Sequence, residues 1–266
     1  MNNFNYQYTP LDASKQQIRL LKVDKTTPST RPPRCTVHPF DIALAPQYIA
    51  LSYTWGPPDP SHHILIANGT FKVRDNLYNF LCEFRRNNSV NKGIAYIYID
   101  QICINQSNIE ERNAQVRLMT DIYTRSALVL VWLGNDPRMV RAAQRFAQEL
   151  EDQDEETPAD NRYLEIYLSN RYFNRVWIVQ EVSLAKEIQA LCGSESVRWE
   201  AARMGVNSLD QINVKAAVYP TTIKDLFKEK DARNRRLDEV VATYSRHECQ
   251  DLKDKVYGLL GLVGES

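Results

Sequence analysis

Tyr48-Ile49-Ala50-Leu51-Ser52-Tyr53, halted by Gly56-Pro57-Pro58, is the stretch on which the fold turns. A short apolar run that does not alternate with polar residues reads as a strand buried on both faces, the pattern of a parallel sheet. Two further runs follow it, Ile94–Ile99 ending at Asp100 and Ala127–Leu133 closed by Gly134. Helical patterns separate them. Asp75 stands as a cap before Leu77, Phe80, Leu81 and Phe84, one apolar stripe. Ser107-x-x-Glu110 has capping-box spacing and opens a helix to Arg125, with Val116, Met119 and Tyr123 on one face. Strand–helix alternation from Tyr48 to Leu184 predicts an α/β parallel sheet flanked by helices. Ligands of open parallel sheets bind beyond the carboxyl ends of the strands, which directs attention to Ser52–Gly56, Asp100–Gln106 and Gly134.

Outward from this core, residues 1–47 read as an arm. Ile18, Leu20 and Leu21 suit a short strand, and the proline-rich stretch Pro28–Pro39 excludes a helix. His63–Ile66 and Thr70–Val73 flank Asn68-Gly69 as a hairpin. After the third buried run comes a helical segment from Arg138 to Leu150, and then the acidic run Glu151–Glu156, expected as a solvated loop. An amphipathic helix is expected over Tyr172–Leu184, and a small hairpin around Gly193-Ser194. The remainder is read as helical, with weak signals between Asn207 and Lys228 and clearer ones at Leu237–Tyr244 and Val256–Leu262. The organisation expected is an arm (1–47), an α/β core (48–200) with an insertion at about 135–174, and a helical C-terminal part (201–266) of the same domain.

Composition narrows the function classes. The 33 basic and 33 acidic residues cancel, so no global field recruits nucleic acid or an anionic membrane. The five cysteines are scattered without a C-x-x-C pair, which argues for a reducing compartment and against a disulfide framework. His62 and His63 point to opposite faces of a strand, and no cysteine–histidine cluster supports a metal site. The amino terminus lacks the pattern of a signal peptide, and no apolar stretch has the length of a membrane span, so a cytoplasmic location is expected. Neither a dinucleotide fingerprint nor a P-loop is present, and Cys103 has no histidine near it in sequence to activate it.

Three blocks, in order, resemble the fungal HET (heterokaryon incompatibility) domain. They are Ala50-Leu51-Ser52-Tyr53-Thr54-Trp55-Gly56; Tyr98-Ile99-Asp100-Gln101-Ile102-Cys103-Ile104-Asn105-Gln106 with its continuation to Val131-Trp132-Leu133-Gly134; and Arg171-Tyr172-Phe173-Asn174-Arg175-Val176-Trp177-Ile178-Val179-Gln180-Glu181-Val182. HET domains are in turn similar to TIR domains. That resemblance implies a TIR/flavodoxin-like sheet with a helical insertion, a small β-hairpin and a helical C-terminal extension. Trp177 stands four positions before Glu181, as a tryptophan precedes the glutamate of NAD-cleaving TIR members. Unlike TIR domains, this chain inserts Asn135–Asn174 before that segment.

The resemblance implies a cell-death effector that is triggered by self-association through an upstream receptor or a fused recognition domain. Glu181 would be the catalytic residue of an NAD+ glycohydrolase, with NAD+ as substrate and no cofactor. Ser52, Tyr53, Trp55, Gly56, Asp100, Asn105, Gln106 and Trp177 would bind the substrate. A carboxylate suits the reaction because it stabilises an oxocarbenium-like state and holds ribose hydroxyls. Each residue also has a structural reading. Glu181 is equally suited to pairing with Arg175, Arg171 or Lys186 or to accepting bonds from a nearby loop; Asp100 to capping a turn; Trp55 to packing the hairpin; and Asn105 and Gln106 to satisfying loop backbone. Arg112 and Gln115, at a helix start, suit a phosphate or an internal ion pair with Glu111 or Asp100. The competing functional expectation is a non-enzymatic TIR-like scaffold that signals by homotypic assembly.

Overall fold

The computed structural model of the chain describes residues 4–12, 14–59, 61–87, 90, 92–151, 161–200, 202–203, 206, 226–227, 235–249 and 251–264. All but the first residue of the acidic run, and the stretch of weak signals from 207 to 225, lie outside them. The elements in chain order begin with β1 (Gln17–Val23), β2 (Arg34–Asp41), β3 (Tyr48–Tyr53), β4 (His62–Ile66), β5 (Gly69–Val73) and α1 (Asp75–Arg86). Next are β6 (Tyr96–Tyr98), α2 (Asp100–Cys103), α3 (Ile109–Arg117), α4 (Met119–Arg125) and β7 (Leu128–Trp132). Then come α5 (Pro137–Glu151), α6 (Asn161–Leu168), a 3-10 turn (Arg171–Asn174), α7 (Trp177–Ser183), β8 (Ile188–Cys192) and β9 (Glu195–Arg198). The C-terminal segment carries α8 (Leu237–Tyr244), α9 (Asp254–Tyr257) and a 3-10 turn (Leu260–Leu262).

Nine strands form one sheet in the order β5-β4-β2-β1-β6-β3-β7-β8-β9. Its centre is parallel: β3 pairs with β6 on one side and β7 on the other, and β7 pairs with β8. Every residue of β3 and β7 is buried, as expected of strands covered on both faces. From β3 the chain runs through the β4–β5 hairpin at the sheet edge and α1, enters β6 on one side of β3, and then crosses back to β7 on the other. The carboxyl end of β3 therefore lies at a reversal of strand order, the position where open parallel sheets generally bind ligands.

The residues read as an arm contribute two strands. β1 lies inside the sheet between β2 and β6, antiparallel to both. Arg19 of β1 is 2% exposed and forms a two-pronged ion pair with Glu111, at 2.5 and 3.0 Å, while also donating to the carbonyls of Cys103 and Thr9. This ties the N-terminal strand to the loop and helix that follow β6.

Several local expectations are corrected. The N-cap of α1 is Arg74, and Asp75 is the first helical residue, its carboxylate 3.1 Å from His62. At α3 the cap is Asn108, whose side chain accepts the Glu111 N–H; Ser107 instead bonds Asn105, and Glu111 is drawn away to Arg19. The helix expected to run to Arg125 breaks at Leu118, whose N–H bonds the Gln115 carbonyl in a tightened turn between α3 and α4. The helix expected over Tyr172–Leu184 divides into a 3-10 turn and the short α7. Ile178 to Ser183 of α7 are all buried, because α4 and the closing Leu260–Leu262 turn pack around it. Cys103 closes α2. It is buried, its sulfur accepts the Ile99 N–H at 3.3 Å, and burial pushes its thiol up to about 12.

Candidate functional site

The strand exits converge on a cluster of buried polar groups. Ser52, the penultimate residue of β3, donates its hydroxyl to Glu181 Oε2, and its oxygen lies 2.7 Å from the Tyr172 hydroxyl. Glu181 is 7% exposed. It is carried to this position by α7, which packs on α4. From α4, the Tyr123 hydroxyl donates to the Leu51 carbonyl at 3.1 Å and stands close enough to favour the charged form of Glu181.

Asp100 occupies the exit of β6, at the head of α2. Its Oδ1 accepts the Gln101 N–H at 2.7 Å and its Oδ2 accepts the Trp55 indole N–H at 2.8 Å. The Tyr53 hydroxyl reaches Gln101 Oε1 at 3.3 Å. The face of Trp55 carries the Arg74 guanidinium 5.0 Å from the ring centre, a cation–π contact that steadies the indole. Gly56, at φ +77, makes the turn out of β3 in a conformation costly for any side chain.

Arg175 acts on both of these groups through its charge. Its guanidinium donates to the Tyr53 carbonyl, and its main chain is fixed by a bridge to the C-terminal segment: Val176 N–H bonds the Glu248 carbonyl and Glu248 N–H bonds the Asn174 carbonyl. Its charge favours ionisation of both Glu181 and Asp100. Burial nevertheless dominates and raises Glu181 to about 7, against the pull of Arg175 and of the Ser52 hydrogen bond, with the nearby Asp100 adding to the rise. Burial raises Asp100 as well, opposed by Arg175 and by the bonds from Trp55 and Gln101. Two buried carboxylates thus feel the charge of one guanidinium without forming an ion pair with it, and Glu181 takes up or releases a proton near neutrality. Such a group is suited to general acid–base work or to meeting a developing cation.

The sequence-derived residues separate into two groups. Ser52, Tyr53, Trp55, Gly56, Asp100 and Glu181 come together at the exits of β3 and β6. Asn105 and Gln106 stay in the adjoining loop on structural duties: the Asn105 side chain accepts from Ser107, and the Gln106 amide donates to the Asp100 carbonyl at 3.0 Å. Trp177 is turned to the C-terminal segment, where its indole N–H meets Asp254 Oδ2 at 3.1 Å and its ring lies against Gly258. Arg112 forms no ion pair with Glu111 or Asp100, since Glu111 is held by Arg19, and the Gln115 amide is spent on the Gln17 carbonyl at 2.7 Å.

The sequence reading missed Tyr172, Tyr123 and Asn76, and treated Arg175 only as a candidate ion-pair partner. Asn76 joins two strand exits: its amide nitrogen donates to the Thr54 carbonyl at 2.6 Å and its side-chain oxygen accepts from the Trp132 indole at 2.8 Å. Tyr172 and Arg175 both belong to the Arg171–Val182 block, so the signal was present but centred on its glutamate. Among the described residues, no cysteine, histidine and carboxylate side chains gather as a metal-holding group. A separate hollow of about 610 Å³, lined by residues that include Arg138, Arg141, Arg145 and Tyr163, lies between α5 and α6 and shares no residue with the Glu181 cluster.

A family model, "Heterokaryon incompatibility protein (HET)", matches residues 48–181, a span that opens with β3 and closes on Glu181. It covers half of the chain. The chain belongs to the HET family. The whole of this HET chain also aligns with "Heterokaryon incompatibility protein 6, OR allele" of Neurospora crassa, at 26% identity over 344 aligned positions. That alignment covers 50% of the relative, so the chain spans half the length of the curated relative it matches. No solved structure matches.

Proposed function

We propose that this HET chain serves heterokaryon incompatibility as a cell-death effector in the cytoplasm, and that it acts by cleaving NAD+ once self-associated through an upstream receptor or a fused recognition domain. The observation that carries this reading is the buried Glu181–Ser52 pair, with Asp100 and Arg175 beside it, at the reversal of strand order. The incompatibility role is supported by the family and by the printed name of the relative. A TIR-like core is supported by the order of the parallel strands, β6-β3-β7-β8, in which the first in sequence lies between the second and third.

In the proposed reaction the bond between the ribose C1′ and nicotinamide breaks and nicotinamide leaves with the electron pair. Water adds to C1′ and releases one proton, giving ADP-ribose. Glu181 faces the cationic sugar and Arg175 limits the charge of the carboxylate pair. Trp55 and Tyr53 wall the exit of β3. The depth of Glu181 favours a second reading, a TIR-like scaffold that signals by homotypic assembly without turnover. The test is nicotinamide release from NAD+ by the purified, concentrated protein, with Glu181→Gln alongside. Release that disappears in the variant supports the enzyme. Absence of release even under forced oligomerisation, with cell killing intact in Glu181→Gln, overturns it and leaves the scaffold.

A further inference from the structure

The hydrogen bonds around Glu181 have a direction that can be counted out. Ser52 owns one hydroxyl proton and gives it to Glu181 Oε2. The 2.7 Å contact between Ser52 and Tyr172 must then be made by the Tyr172 proton, with Ser52 as acceptor. Burial keeps the Tyr172 hydroxyl protonated, so it stays a donor. The chain therefore runs one way, from Tyr172 to Ser52 to the carboxylate, and each of its protons has an acceptor.

A proton arriving on Oε2 would collide with this arrangement, because two contacts cannot accommodate three protons and one donor would be orphaned in a buried setting. A proton arriving on Oε1 leaves both Ser52 contacts as they are. We propose that Tyr172 and Ser52 are positioning residues whose hydroxyls form a directed chain that fixes the Glu181 rotamer and reserves Oε1 as the atom at which this carboxyl gains and loses its proton. The inference rests on the reading of Glu181 as the acting carboxylate. It assigns a role to two hydroxyls that are otherwise merely satisfied core groups.

The charged and titratable groups around Glu181 are Arg175, Asp100 from α2, Tyr123 from α4, Tyr98 from β6 and Tyr172 itself. The test must therefore isolate the chain from its neighbours. In protein labelled with 13C-glutamate, the Glu181 carboxyl carbon is followed across pH in the wild type, Ser52→Ala and Tyr172→Phe, with Glu181→Gln assigning the signal.

Loss of the Ser52 donor is expected to lower the ionisation constant of Glu181 roughly tenfold, the worth of a hydrogen bond to a charged acceptor. Tyr172→Phe removes one oxygen and leaves the packing in place. It is expected to move the midpoint in the same direction by a smaller amount, about threefold, by freeing the Ser52 hydroxyl to turn. A Tyr172→Phe protein with unchanged thermal midpoint and a wild-type Glu181 titration overturns the proposal, whatever Ser52→Ala does. The titration is read without turnover, so its outcome is separate from nicotinamide release. A chain that behaves as described in a protein without NAD+ cleavage would refute the enzymatic reading alone.

Discussion

Asn76 and Trp132 are joined side chain to side chain at 2.8 Å, and through that bond the head of α1 holds the end of β7 beside the exit of β3. The indole N–H also reaches the Asn76 carbonyl at 3.1 Å, so removing the side chain leaves it one partner. Asn76→Ala is expected to destabilise the protein by about 1.5 kcal/mol, chiefly through the Thr54 carbonyl that loses its donor. Urea denaturation with an unchanged slope checks this, and an unaltered midpoint would contradict it.

Glu181 gives a stability prediction of unusual sign. Its carboxyl is held at about 7 in the folded chain against 4.5 in the unfolded one. Between those values the folded state holds more protons than the unfolded state, so the contribution of Glu181 to stability falls as pH rises from 4.5 to 7. Glu181→Gln removes this burden. The variant is expected to be more stable than the wild type above pH 7, by up to about 3 kcal/mol, and to match it near pH 4.5. A difference curve flat with pH would refute a raised carboxyl at this buried position.

His247 acts in the same window with opposite sign. It is 1% exposed, and neither ring nitrogen has a hydrogen-bond partner among the described residues. Burial lowers its pKa to about 4 from 6.5, so the stability that depends on its neutral form is intact above 6.5 and is lost as pH falls towards 4. His247→Phe keeps an aromatic ring against Tyr244. It is expected to gain about 3 kcal/mol on the wild type at pH 4 and little at pH 7.5. Because Glu181 and His247 slope against each other, thermal melts should be compared as differences from wild type.

The Arg19–Glu111 pair is the most exposed to single substitution. Glu111→Gln leaves a guanidinium that is 2% exposed without its counter-charge, and is expected to cost about 3 kcal/mol or more. Burial pushes the Glu111 carboxyl up, but the Arg19 hydrogen bond, the Asn105 N–H and the Arg19 charge together leave it below the ordinary value. Its contribution is therefore present above the unfolded pKa and lost as acid takes pH through the folded one. Equal stability of variant and wild type at pH 7 would show the pair to be dispensable.

The parallel centre of the sheet was legible because burial on both faces leaves an uninterrupted apolar run, as in β3 and β7. The hairpin β4–β5 was legible from Asn68-Gly69, but the turn falls one residue earlier, at Ala67-Asn68 with Ala67 at φ +51, and Gly69 pairs with Ile66 as the first residue of β5. The fate of residues 1–47 was not, because antiparallel pairing of β1 with β6 is a long-range choice that local pattern does not encode. Helix starts were misplaced by one residue at Arg74 and Asn108: Ser107 and Asn108 are near-equivalent caps, whereas at Arg74 no side chain caps the helix and Asp75 is its first residue. At the site, Ser52, Asp100 and Glu181 were legible from strand exits and the resemblance. Tyr172 was hidden because an aromatic residue in a buried block is ordinarily core, and only coordinates show where its hydroxyl points. Trp177 was expected at the substrate site from the resemblance, but its indole answers to Asp254, more than seventy positions further along the chain.

The placement of β1 has a practical bearing on how this protein can be dissected. A fragment trimmed to residues 48–181 would strip β6 of its antiparallel neighbour and leave a three-residue strand as a raw margin. It would also discard Glu248, whose main chain clasps Asn174 and Val176. Such a piece would carry every residue of the acidic cluster but lose the main-chain bridge that fixes the backbone at Arg175, and its open margin would invite chains to stack on one another. The smallest unit that can be asked about chemistry is thus wider than the span by which its kin are recognised.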